Sequence, residues 1–342
     1  MKAIGFYQGG GIDRDDALLD IDVPDPAIGD RDLLVRVQAV SVNPVDTKVR
    51  GGAKPKEGRP MILGFDAAGI VEAVGPGVTL FAPGDEVFYA GTIKRQGTNA
   101  ELHAVDERIV GRKPHSLSWA EAAAMPLTAL TAWELLFDRL RVPRSSDASA
   151  KSILIINGAG GVGSMLTQLA RQLTGLQVIA TASRPETIAW VEGLGAHHVI
   201  DHHKPLDEEL ARIGAGTVNY VASLASSDRN LPLFPKIIAP QGSLALIDDV
   251  KSLDIVGLRQ KSISVAWEGV FTRSIYETED MIEQHHSLNE ISRLVDAGVL
   301  RTTLSSEAGP IDAAHMKAVH RLVEGGKTIG KIVLAGFPPP AK

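Results

Sequence analysis

Four consecutive branched apolar residues, Ile153-Leu154-Ile155-Ile156, lead almost directly into Gly158-Ala159-Gly160-Gly161-Val162-Gly163, and few folds accept that succession. A run this short and β-branched reads as a strand buried on both faces of a parallel sheet. The glycine string satisfies G-x-G-x-x-G. The amphipathic segment from Met165 to Leu173 behind it reads as a helix ending near Thr174, so the pattern sits in its required strand, turn, helix context. There, glycines let backbone amides approach a pyrophosphate that rests on the positive end of the helix. A turn with no ligand has no use for several glycines at those offsets, because each costs backbone entropy.

From this point strands and helices alternate. Strands are expected at Val178 to Thr181, Val199 to Ile200, Val218 to Val221 and Ser243 to Ile247. Helices are expected at Glu186 to Leu194 and Asp207 to Ile213, then a long one from Glu277 to Ala297, with a closing strand at Lys331 to Leu334. This is the rhythm of a doubly wound α/β sheet. Selectivity among dinucleotides is read about 20 residues past the loop, where an NAD site places Asp or Glu on the ribose 2′-hydroxyl. This chain has Ser183-Arg184 there. A unit-charge pair at ~4 Å and an effective dielectric of ~20 is worth about 4 kcal/mol, so arginine in place of an acid favours a 2′-phosphate, and NADPH over NADH.

The first ~115 residues are different: short strands such as Leu33 to Val40 and Glu86 to Ala90, cut by turns at Gly75-Pro76-Gly77 and Pro83-Gly84-Asp85, read as a β-rich barrel or sandwich. Ser118-Trp119-Ala120-Glu121 is a capping box, and Pro126 should start a helix running to about Leu140. A polar loop from Pro143 to Ala150 precedes the buried strand, and Pro338-Pro339-Pro340 reads as an extended end. The 342 residues suffice for about two domains. With 35 Lys and Arg against 41 Asp and Glu, the net charge of −6 argues against a nucleic-acid partner. Cysteine is absent, which excludes disulfides, a thiolate nucleophile and any zinc site built on sulfur. With no run of ~18 apolar residues, no membrane partner and a cytoplasmic location are expected.

Asn43-Pro44-Val45-Asp46, the stretch Gly64-Phe65-Asp66-Ala67-Ala68-Gly69 through Gly75, Pro83-Gly84-Asp85-Glu86-Val87 and the Gly160 to Gly163 loop occur in an order that resembles the medium-chain dehydrogenase/reductase superfamily. The likeness spans almost the whole chain. It is greatest to the zinc-free quinone oxidoreductase branch and the proteins labelled zinc-type alcohol dehydrogenase-like. It implies a GroES-like catalytic domain, residues 1–125 and 271–342, around a Rossmann NADP-binding domain at 126–270, with catalysis in the cleft between them and a homodimeric assembly.

In zinc-dependent relatives the metal is held at positions matching Asn43, Phe65 and the stretch from Met125 to Thr128. Phe65 has no donor atom, so the resemblance implies no catalytic zinc here. Unactivated alcohols then become poor substrates. Quinones and electron-poor alkenes need no Lewis acid, since hydride adds to an already electrophilic system. By resemblance Asn43 bonds the reacting oxygen or the carboxamide and Thr131 touches the cofactor; Asp46 matches a recurrent acidic residue of the motif, but a structural turn bond is the reading adopted for it. Phe65, Tyr89, Trp267 and Phe271 are candidate walls of the substrate cleft, and Tyr89 alone among them could also donate a proton. His197, His198, His202 and His203 read as surface. The leading expectation is an NADPH-dependent reductase of quinones or conjugated carbonyls. Reduction of enal or enone double bonds, a non-catalytic NADPH sensor and, distantly, a zinc alcohol dehydrogenase stand as alternatives.

Overall fold

The computed structural model describes residues 1–145 and 150–338, so the expected polar loop and proline tail lie partly outside the described residues. The chain divides into two compact units, one formed by Met1–Leu127 with Phe271–Lys342 and the other by Thr128–Val270. Among the described residues no helix is long and apolar enough to cross a membrane.

The first unit begins with eight strands: β1 (Lys2–Phe6), β2 (Leu19–Asp22), β3 (Asp32–Ser41), β4 (Met61–Ile62), β5 (Ala67–Val74), β6 (Glu86–Tyr89), β7 (Leu102–Asp106) and β8 (Val110–Arg112). Strands β2, β1 and β4 form a small sheet, and the others belong to a larger one organised around β3. Two register irregularities between β3 and β5, at Leu34/Val35 and Val37/Ala39, bend this ten-residue strand so that it can serve several neighbours. The Ser118 capping box is present: Glu121 N donates to Ser118 Oγ at 3.3 Å and Ser118 N to Glu121 Oε2 at 2.9 Å.

The second unit is a six-stranded parallel sheet of β9 (Ser152–Ile156), β10 (Gln177–Thr181), β11 (His198–Ile200), β12 (Val218–Ser223), β13 (Ile238–Leu246) and β14 (Ser264–Trp267), in the order β11-β10-β9-β12-β13-β14. That is the doubly wound arrangement, with its reversal of strand order between β9 and β12. One face buries Leu154, Ile179, Leu210 and Phe234; Ala159, Ala180, Ala182 and Val191 form a separate cluster.

Two expected helices differ. The helix from Pro126 is α-helical only to Trp133 and continues as a π-helix over Glu134–Arg139. Its wider turn is marked by the bond from Leu140 N to Leu135 O at 2.9 Å. The long helix expected at 277–297 is two, Thr272–Tyr276 and Glu283–Asp296. Glu277 between them adopts φ +47°, and Thr278 and Arg273 spend their side chains on Asp280, which stops propagation.

The chain then returns to the first unit through β15 (Leu304–Glu307) and β16 (Lys331–Ala335). Strand β16 pairs antiparallel with β3, Val333 opposite Ser41. That register carries residue 331 to the level of residue 43.

Candidate functional site

The glycine loop is built as its sequence requires. Strand β9 is buried throughout. Asn157 then turns the chain with φ +66°, and its amide donates to Thr181 Oγ1 at 2.9 Å, which ties the loop to the end of β10. Gly163 packs against the turn so closely that a Cβ would lie 2.3 Å from Asn157 O and 2.7 Å from Gly158 Cα, so only glycine fits. At Gly160 a Cβ would meet only the movable Asn157 amide, at 2.9 Å. The first intrahelical bond of Gly161–Leu173 is Ser164 N to Gly160 O at 2.8 Å. The amides of Gly161, Val162 and Gly163 are therefore helix-end donors at the carboxyl edge of a parallel sheet, an arrangement that fits a pyrophosphate.

Ser183 and Arg184 leave the carboxyl end of β10, both partly buried. Arg184 Nε lies 3.3 Å from Glu186 Oε1, and its backbone carbonyl accepts from Thr187 Oγ1 at 2.8 Å, which starts the helix Pro185–Gly193. The histidine pairs divide. His197 and His203 are exposed, and His198 is partly buried. His202 is instead half-buried, with Nε2 3.4 Å from Ser183 Oγ. Thr131 is buried in the helix Pro126–Trp133. Trp267 ends β14 and is 49% exposed.

In the first unit, Asn43 is 1% exposed and belongs to a closed polar network. Its Nδ2 donates to Asp66 Oδ2 at 2.7 Å, and its Oδ1 accepts from the Lys331 ammonium. Lys331 also donates to Val42 O at 3.1 Å and Asp66 Oδ2 at 3.0 Å. Asp66 further accepts from Ser41 Oγ at 2.8 Å and from the Leu127 amide at 2.7 Å. Asn43 is thus a member of a satisfied cluster, with its side-chain amide engaged by Asp66 and Lys331. Asp46 holds the adjoining turn as expected, accepting from the amides of Asn43 at 2.8 Å and Gly64 at 3.0 Å. Burial pushes its carboxyl up to about 7 in spite of those two donors.

Tyr89 is enclosed as well. It is 0% exposed, and its hydroxyl lies 3.2 Å from His103 Nδ1, with the two rings stacked. His103 Nε2 faces the Gln96 carbonyl at 3.0 Å and must carry the proton there, so Nδ1 accepts and Tyr89 donates. Burial raises the phenol and lowers the imidazole to about 4. The Tyr89 hydroxyl is thus engaged with His103. Phe65 and Phe271 do come together, edge to face with centroids 5.2 Å apart, and both are nearly buried.

The positions that the resemblance matches to zinc ligands carry an amide committed to Asp66 and Lys331, a phenyl ring, and the stretch from Met125 to Thr128, which offers no imidazole, thiolate or carboxylate. This donor set does not fit tetrahedral zinc. Among the described residues no group of three or more His, Cys, Asp or Glu side chains is arranged to hold a metal ion. The residue that sequence reasoning missed is Lys331. Its signal was a lysine opening an otherwise apolar strand.

A family model described as the alcohol dehydrogenase GroES-like domain matches residues 29–132, and one described as zinc-binding dehydrogenase matches residues 161–286. A zinc-type alcohol dehydrogenase-like protein of Staphylococcus aureus is 39% identical over 98% of this chain and 99% of its own length. A candidate zinc-dependent alcohol dehydrogenase of Rhizobium etli, solved as a crystal, is 55% identical with TM-score 0.95, covering 99% of each chain. The quinone oxidoreductase of Escherichia coli, crystallised with NADPH, is 25% identical with TM-score 0.80, covering 98% of this chain and 100% of its own.

Proposed function

The chain belongs to the medium-chain dehydrogenase/reductase superfamily of nicotinamide-dependent oxidoreductases, and from that premise we propose that it reduces quinones or related conjugated carbonyls with NADPH and no catalytic zinc. The observation that carries the acceptor class is Phe65: the side chain standing where a metal-dependent relative offers an imidazole is a hydrocarbon packed on Phe271. Beside it, Lys331 and Asp66 close the polar network through Asn43. Nothing in that donor set polarises an alcohol or aldehyde, so the acceptor has to be electrophilic in itself.

The bound nicotinamide supplies a hydride from C4. This chain's residues do the rest. The amides of Gly161, Val162 and Gly163 hold the pyrophosphate, Ser183 and Arg184 favour a 2′-phosphate, and Thr131 contacts the cofactor. Phe65 and Phe271 offer a flat apolar wall to a flat acceptor. Asn43 acts as a positioning residue that fixes the turn to Asp46, and the proton that completes reduction comes from solvent. The quinone oxidoreductase that crystallised with NADPH supports both cofactor and acceptor class.

Initial rates of NADPH and NADH oxidation against quinones, enones, aldehydes and alcohols test this reading. Quinone reduction with NADPH well ahead of NADH is expected. Turnover confined to the alcohol and aldehyde couple would overturn it.

A further inference from the structure

Strands β10 and β11 are parallel neighbours, with Thr181 opposite Ile200, so the turns that follow them emerge at one end of the sheet. Ser183 and Arg184 leave β10 there, and Asp201, His202 and His203 leave β11. His202 Nε2 lies 3.4 Å from Ser183 Oγ, while its Nδ1 is buried with no hydrogen-bond partner. Asp201, the nearest carboxylate in sequence, is turned to its own backbone and accepts from His203 N at 2.9 Å. The charged groups that act on the ring are His203, Asp201 and Arg229, with the pairs Arg184 and Glu186, and Lys204 and Glu209, on the neighbouring turns. His203 lies with its ring centroid 4.5 Å away. Arg229 donates to His203 O at 3.3 Å. Arg184 lies against Glu186, and Lys204 lies 4.0 Å from Glu209. Burial, then His203, holds the imidazole below its ordinary value, with Asp201 opposing. Without an anion these surroundings favour the neutral ring.

Resting on the NADPH reading above, we propose that His202 is a third member of the 2′-phosphate subsite, beside Ser183 and Arg184, and that it takes up a proton when the phosphorylated dinucleotide binds. The proton comes from solvent onto the free lone pair of the imidazole, after which both ring nitrogens donate. A 2′-phosphate carries nearly two negative charges at neutral pH and repays that protonation, whereas a ribose hydroxyl does not. Discrimination for the phosphorylated cofactor therefore weakens as pH rises.

Adenosine 2′,5′-bisphosphate and 5′-AMP probe the subsite without nicotinamide chemistry. Their binding to the full-length protein is measured by calorimetry between about pH 6.5 and about pH 8.5, in two buffers of different ionisation enthalpy. The bisphosphate is expected to bind about 5- to 10-fold tighter at the lower pH with net proton uptake, and 5′-AMP to show neither effect. Titration of the phosphate itself, with its second pKa of ≈ 6, would act in the opposite direction. His202→Gln should flatten the profile and abolish the uptake while leaving 5′-AMP affinity unchanged, and His203→Gln should retain both. An unchanged profile in His202→Gln, loss of the profile in His203→Gln instead, or equal weakening of both nucleotides in His202→Gln would overturn the assignment. If the bisphosphate binds no tighter than 5′-AMP at any pH, the NADPH reading itself fails, a result distinct from each of those.

Discussion

Arg184 and Tyr89 show how far a residue's type predicts its work. Arg184 is half-exposed and already near Glu186, so screening reduces its attraction for a phosphate well below the few kcal/mol of an unscreened pair. Arg184→Ala should still weaken NADPH about tenfold and leave NADH within about twofold, as read by fluorescence titration of each coenzyme. Equal loss for both would remove it from the subsite. Tyr89→Phe should leave turnover unchanged and cost about 1 to 2 kcal/mol in urea unfolding, since His103 Nδ1 loses its donor in a dry environment. A turnover defect without a stability defect would instead make Tyr89 a proton donor. Neither sequence nor resemblance could show the hydrogen-bond partners of Asn43 and Tyr89. Their partners lie 288 and 14 residues away in the chain, and pairing at such range is set by strand register, which no local pattern records.

Among the elements, the strand, glycine loop and helix at 152–173 were legible because strand burial, turn chemistry and helical period are all local signals that agree. The boundaries that failed were set by tertiary demands. The π-helix over Glu134–Arg139 carries Glu134 into a buried position beside Glu268, whose carboxyl is held up by burial and by Glu134, with Arg139 2.8 Å away opposing. Strand β14 went unread because its four residues, Ser264-Val265-Ala266-Trp267, alternate too briefly to declare a period. The two kinds of loop glycine should separate under mutation. Gly160→Val should abolish dinucleotide binding while the melting temperature stays within about 3 °C, because only the Asn157 side chain must move. Gly163→Ala, whose methyl would strike backbone, should destabilise the second unit by ~2 kcal/mol or more in urea unfolding. The reverse ranking would mean that the loop's packing is misassigned.

For the molecule as a whole, pH acts through buried groups of opposite sign. His103 is lowered to about 4 and His320, beside Arg50, to about 3, in both cases chiefly by burial. A neutral buried imidazole stabilises the fold fully above the unfolded value of ~6.5, and that contribution is lost as pH falls towards these values. Asp46, raised to about 7, works the other way, because its contribution is present below the unfolded carboxylate value and is lost as pH rises through about 7. His103→Gln isolates the first effect. Its melting temperature should fall less than that of the wild type between about pH 6.5 and about pH 4.5, and parallel curves would show that His103 is not buried neutral. The meeting of Lys331 with Asn43 depended on the β16 to β3 register, which no local pattern announces.

That meeting also leads to the metal. Protein dialysed exhaustively against a chelator, with its zinc content determined on the same sample, should oxidise NADPH with a quinone acceptor at the undialysed rate and contain far less than one zinc per chain. Stoichiometric zinc, removed together with quinone reduction and restored with it on readdition, would contradict a reaction that relies on the acceptor's own electrophilicity.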